Sequence, residues 1–209
     1  METTKSKELT ELYFNRTAAD YDNSHDGKFV RCMYQEILDR AGSIKGNHIL
    51  DLGCGNGNVI ELLKSRREAD YYGLDLSEKM IEEAEKRFQG QVHLAVGDAE
   101  GLPYENNTFD LIICNASFHH YTHPEKAVEE IKRVLKPGGT LILGDPTLPG
   151  RLLTKILSFF LKYSNSGDAK IWHKKDITKL FEHHGFAVEK WNYINHHSFM
   201  FNAVLSSSR

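Results

Sequence analysis

The chain has 209 residues, 40% hydrophobic and 26% charged, an ordinary globular mixture that excludes a disordered or collagen-like polymer and suffices to bury one sizeable core. Its 26 basic and 29 acidic side chains leave a net charge of −3 without a concentrated basic stripe, so no nucleic-acid partner is expected. Cys32, Cys54 and Cys114 form neither a disulfide framework nor a CxxC pair, and no run approaches the roughly 20 apolar residues of a membrane span.

A cytoplasmic monomer or homodimer without stable membrane insertion is therefore expected. In chain order, residues 1–46 read as a helical extension carrying Tyr13, Phe14 and Tyr21. From Asn47 short apolar runs alternate with amphipathic stretches, the mark of a parallel sheet covered by helices. Strands are expected at 48–52, 71–75, 92–96, 109–114 and 140–144, and helices at about 57–65, 77–88 and 124–135. Ser77 is the expected N-cap of the second helix, and the run 136–139, Lys-Pro-Gly-Gly, the stop of the third. An apolar helix lies between Gly150 and Tyr163, in an insertion over 146–175 that is positioned to roof an acceptor pocket, with Trp172 and His173 in the same wall. The segment 176–209 predicts a helix at 176–184 capped by Gly185, then strands at 186–191 and 198–204 paired as an antiparallel edge hairpin. The fold class is α/β: a Rossmann-like three-layer sandwich with a mostly parallel seven-stranded sheet, all in a single domain over 1–209 whose cofactor-binding core is 47–145.

The most informative segment is ILDLGCGNG, residues 49–57, which places Gly53, Gly55 and Gly57 between a strand and a helix. Glycine there lets the backbone turn sharply and a ligand lie directly against it. Asp75, ending the next strand, is placed to accept hydrogen bonds from both hydroxyls of a ribose. A nicotinamide site would need a third Rossmann glycine where this chain has Asn58, and Asp51 beside the turn favours a cationic ligand over a pyrophosphate.

Four motifs in order, ILDLGCGNGNV, GLDLSEKM, VGDAEGLPYENNTFDLIICNASFHHY and IKRVLKPGGTLIL, make the chain resemble the class I S-adenosylmethionine-dependent methyltransferases. Within that family it is similar to the small-molecule enzymes of ubiquinone/menaquinone biosynthesis. The resemblance implies S-adenosyl-L-methionine as methyl donor. It implies that Asp51 and the backbone of Gly53, Cys54, Gly55 and Gly57 hold the methionine part, Asp75 the ribose, and Leu76 and Met80 the adenine faces. Asp98 and Ala99 would meet the adenine edge, Asn115 would lie beside the amino-acid end, and Tyr21 would close over the cofactor.

The expected reaction is in-line SN2 transfer of a methyl group to a small, apolar acceptor. His119 and His120 follow the fourth strand, at the carboxyl edge where such sheets bind ligands, and are the acceptor-side catalytic candidates. His123 reads as a turn residue. No metal is assigned, because no carboxylate or cysteine stands in ligand spacing around these histidines or around His183-His184 and His196-His197. Asn115-Ala116-Ser117-Phe118 departs from the Asn/Asp-Pro-Pro-aromatic tetrad of enzymes that methylate base amino groups. Two alternatives stand beside the methyltransferase: an NAD-dependent oxidoreductase, and a non-catalytic S-adenosylmethionine-binding regulatory protein.

Overall fold

The computed structural model describes residues 2–161 and 167–205. The strands are β1 (His48–Leu52), β2 (Asp70–Asp75), β3 (His93–Val96), β4 (Phe109–Asn115), β5 (Leu135–Pro146), β6 (Phe186–Asn195) and β7 (Ser198–Leu205). They form a seven-stranded sheet in the order β3-β2-β1-β4-β5-β7-β6. Neighbours from β3 to β5 run parallel, and β7 is antiparallel to both β5 and β6. After β3 the chain returns to the other side of β1, so the carboxyl ends of β1 and β4 flank a topological switch point, where open α/β sheets bind ligands.

Alternation along the strands builds the two cores. Ile49, Leu111, Ile113 and Ile142 point to one face, which is covered by α3 (Tyr34–Gly42), α4 (Asn58–Lys64) and α5 (Glu78–Phe88). Leu50, Ile112, Leu141 and Leu143 point to the other, under α6 (Pro124–Val134) and α8 (Lys174–His183). Both faces of the central strands are buried, which is why they read as continuous apolar runs. Ser77 caps α5 by accepting a bond from the Met80 amide at 3.1 Å, and Pro124 opens α6. The remaining helices are α1 (Glu2–Thr17), α2 (His25–Val30) and α7 (Arg151–Leu161).

The run 136–139 does stop α6, but it does not precede the strand. Leu135 is already extended and pairs with Phe109, and β5 absorbs the glycine turn as a register shift opposite Phe109 and Leu111. β6 likewise runs on to Asn195, beyond the expected end at 191, because a positive φ of 48° at Lys190 lets the strand shift register and stay paired. Asn195 pairs with Ser198, leaving a two-residue hairpin. Trp191 lies in β6 as expected, and its ring stacks on Phe199 and Phe201, with centroids 4.7 and 5.1 Å away. No helix among the described residues is long and apolar enough to cross a membrane.

Candidate active site

The glycine turn leaves β1 and is tied to β2 by the amides of Gly53 and Cys54, both donating to the Leu74 carbonyl at 2.8 and 3.1 Å. Gly53 has φ +76°, and a Cβ on it would lie 2.0 Å from Ser117 Oγ. Gly55 has φ +53° and faces the groove above Met80. Gly57 differs. A Cβ there would meet the Phe88 ring at 2.4 Å, so this glycine lets α4 pack against α5 and does not line the groove.

The groove is walled by Gly53, Gly55, Asp75, Leu76, Met80, Asp98, Ala99 and Asn115. A smaller hollow continues from it past Tyr21 and Asn115 to Asp51, Cys54 and Tyr34. The turn thus lies along one elongated site with a carboxylate near each end. Asp75 Oδ2 accepts from the Gly55 amide at 2.8 Å and Oδ1 from the Ser77 amide at 2.9 Å. Each oxygen keeps a second lone pair for a ligand hydroxyl. Burial raises the Asp75 carboxyl, and those backbone amides oppose the shift.

Asp51 is 2% exposed, and among the described residues neither carboxylate oxygen has a hydrogen-bond partner. Burial, and then the charge of Asp75, push its pKa from 3.8 up to about 8. A buried carboxylate without partners is costly, and an ammonium placed against it would supply what it lacks. A cationic ligand at this end should therefore release close to one proton on binding at pH 7 and bind more tightly as pH rises to about 8. Calorimetric titration of S-adenosylhomocysteine in buffers of differing ionisation enthalpy measures that proton. Because the folded value lies above the unfolded one, the unliganded chain should lose stability as pH climbs from 3.8 through about 8.

The cover comes from the N-terminal helices. Lys7, Thr10, Glu11 and Phe14 of α1 and Tyr21 all line the groove, whereas no described residue of α7 does. Tyr21 is held in place through its neighbour Asp22, which accepts from Asn56 and Asn58 Nδ2 at 3.0 and 2.7 Å. Burial pushes the Tyr21 phenol far up, so it stays protonated. Lys7 Nζ pairs with Asp98 Oδ2 at 2.6 Å and with Glu100 Oε2 at 2.5 Å. Glu100 also accepts from the Thr122 hydroxyl and the His123 amide, both at 2.8 Å, and so ties α1 to the start of α6.

His120 lines the groove edge-on to Phe14, with ring centroids 5.3 Å apart, while His119 stands behind it. His119 Nδ1 lies 2.9 Å from Oδ1 of the fully buried Asp145. Burial would lower His119, but Asp145, Asp168 and Asp26 together raise it. His120 is driven well below 6.5, first by burial and then by the charge of His119. Trp172 and His173 are not part of this wall. Trp172 is buried in the core against Phe118, and His173 caps α8 through a bond from the Lys175 amide. Tyr163, the expected end of α7, lies outside the described residues. Sequence reasoning missed Lys7, Glu100, Ser117 and Tyr121. Of these, Ser117 and Tyr121 were within reach, because they sit in the motif after β4, where their oxygens lie 3.0 Å apart.

Comparison with known proteins decides the family. The model of a methyltransferase domain matches residues 50–143. A demethylmenaquinone methyltransferase of Thermotoga maritima is 33% identical over 168 residues, covering 76% of this chain and 71% of that protein. The chain belongs to the class I S-adenosylmethionine-dependent methyltransferases. It is also 33% identical to a ubiquinone/menaquinone biosynthesis C-methyltransferase of Desulfotalea psychrophila, over 61% of this chain and 53% of that protein, so it spans about half the length of this relative. Among solved structures, a Haemonchus contortus phosphoethanolamine N-methyltransferase bound to S-adenosylhomocysteine superposes with a TM-score of 0.73. It shares 21% identity, over 83% of this chain and 52% of that one. S-adenosylmethionine is the methyl donor of the family, and this sets aside the nicotinamide alternative. The site suits that donor: a turn that a Cβ would fill, an unpartnered buried carboxylate for the ammonium and Asp75 for the sugar.

Proposed function

We propose that this methyltransferase transfers the methyl group to a small, largely apolar acceptor held between the glycine turn and the aromatic wall of Phe14, Tyr21, His120 and Tyr121. The observation that carries the reading is this aromatic wall, bordered by Thr10, Glu11 and Phe14 of α1 and by the Ser117 hydroxyl. Several curated relatives are named for demethylmenaquinone or ubiquinone/menaquinone methylation, which suits such a wall. The sulfonium of the donor supplies an electrophile whose thioether leaves without protonation. The chain's task is then alignment and exclusion of water, worth up to about 10 kcal/mol when the bound geometry is good. Asp51 would fix the amino-acid end, Asp75 the ribose and Tyr21 the cover. Leu76, Met80, Asp98 and Ala99 would surround the adenine, where Asp98 must exchange Lys7 for the exocyclic amine. His119 and His120 are assigned to the acceptor side of the site, with His120 on the groove and His119 behind it.

Incubation with labelled cofactor and fractionated small-molecule extract, with the product identified by mass spectrometry, should yield a methylated apolar compound. Tight binding of S-adenosylhomocysteine with no label transferred to any fraction would replace transfer by the binding-only alternative. Label found only on protein or nucleic acid would overturn the acceptor class.

A further inference from the structure

We propose that His119, His120 and Asp168 form a divalent-metal site of the zinc type beside the acceptor wall. Linear spacing hides it, because Asp168 lies far along the chain from the histidines. Folding brings it there: the amides of Ala169 and Lys170 both donate to the His119 carbonyl, at 2.9 and 3.0 Å. The three donor atoms then lie within 4.8 Å of one another.

The distances from the carboxylate to the two rings suit a shared ion. Asp168 Oδ1 is 3.6 Å from His119 Nε2 and 3.3 Å from His120 Nδ1. Tetrahedral zinc with bonds of about 2.0–2.1 Å keeps neighbouring ligand atoms about 3.4 Å apart. Because a carboxylate only accepts, the bond from His119 to Asp145 places a hydrogen on Nδ1, so Nε2 is the nitrogen that the neutral ring would offer to a metal.

The His120 side chain is nine-tenths buried, and its Nδ1 has no hydrogen-bond partner among the described residues. Asp145 would serve as the orienting carboxylate behind His119, the arrangement commonly found behind metal-bound histidines. Asp26, held by the Tyr13 hydroxyl at 2.7 Å, and Asp145 add negative charge around the cluster.

Three protein donors leave a fourth position for water or for an oxygen of the acceptor. Given the acceptor wall proposed above, the substrate class is a small apolar molecule carrying an ionisable hydroxyl, such as a phenol or enol. That last step rests on the acceptor reading; the metal site does not.

The test uses the untagged full chain, freed of metal by chelation and dialysed against Zn²⁺, with Co²⁺ as a spectroscopic substitute. One Zn²⁺ should bind per chain, and Co²⁺ should give the intense visible absorption of a tetrahedral ion. Asp168→Asn should weaken Zn²⁺ about 100-fold, and Asp145→Asn by about 10–100-fold through the His119 ring. S-adenosylhomocysteine, titrated in parallel, should bind both variants as it binds the parent chain. Absence of stoichiometric Zn²⁺, or equal retention by both variants because the ion sits at another histidine pair, overturns the site. Zn²⁺ binding without S-adenosylhomocysteine binding would support the site and overturn the cofactor groove instead.

Discussion

Asp75→Ala should weaken S-adenosylhomocysteine by about 10²–10⁴-fold, because two hydrogen bonds to a carboxylate contribute about 1.5–3 kcal/mol each. The geometry makes this the position of largest effect on binding. Both oxygens already accept a backbone amide, from Gly55 at 2.8 Å and Ser77 at 2.9 Å, so the carboxylate is fixed before the sugar arrives. Alanine would remove the proposed ribose acceptors and also the support of the turn itself, costing about 1–3 kcal/mol of stability for the amides left unpaired. Asp75→Asn separates the two effects. The amide group keeps one accepting oxygen but turns an NH₂ towards a backbone N–H, so its binding should fall between parent and alanine. Calorimetry gives the affinities and thermal unfolding the stabilities. Asp75→Ala binding within a factor of three of the parent would remove the ribose from this end of the groove.

Gly53→Ala is the second large effect, and it arises from space and backbone together. With φ at +76°, an L-residue is strained by about 1–2 kcal/mol. The added carbon would stand 2.0 Å from Ser117 Oγ and 2.5 Å from Ser117 Cβ, forcing the segment after β4 to move at about 1–3 kcal/mol more. The summed loss is about 2–5 kcal/mol, and the cofactor floor is obstructed as well. Adding Ser117→Gly should recover the steric part and leave the strain. Urea unfolding of the single and double variants measures both. A double variant no more stable than Gly53→Ala alone would mean that the contact with Ser117 is not what makes this position a glycine.

Much of this architecture was legible because its signals are local. Alternating apolar runs, the turn at 53–57 and Ser77 before an amphipathic helix are decided within a few residues, and each stands where it was expected. The antiparallel edge was readable too, since Phe186 and Ser198 begin strands separated by a short turn. What escaped depends on pairing across distance. β5 begins at Leu135 because Phe109 lies opposite it, a partner that the helix-stopping pattern at 136–139 cannot disclose. Gly57 has the signature of a ligand contact yet answers to the Phe88 ring, 31 positions away in the numbering. Lys7 belongs to an unremarkable polar stretch, and only the placement of α1 over Asp98 and Glu100 makes it part of the groove.

The bridge from Lys7 to Asp98 and Glu100 also bears on how the donor gets in and out. In the assignment proposed above, the adenine end is bordered by an ammonium carried on the first helix, so exchange of spent donor for fresh would separate these ion pairs. Dissolved salt weakens partly exposed pairs of this kind. Turnover limited by product departure would then quicken with ionic strength, although the methyl-transfer step itself is indifferent to it.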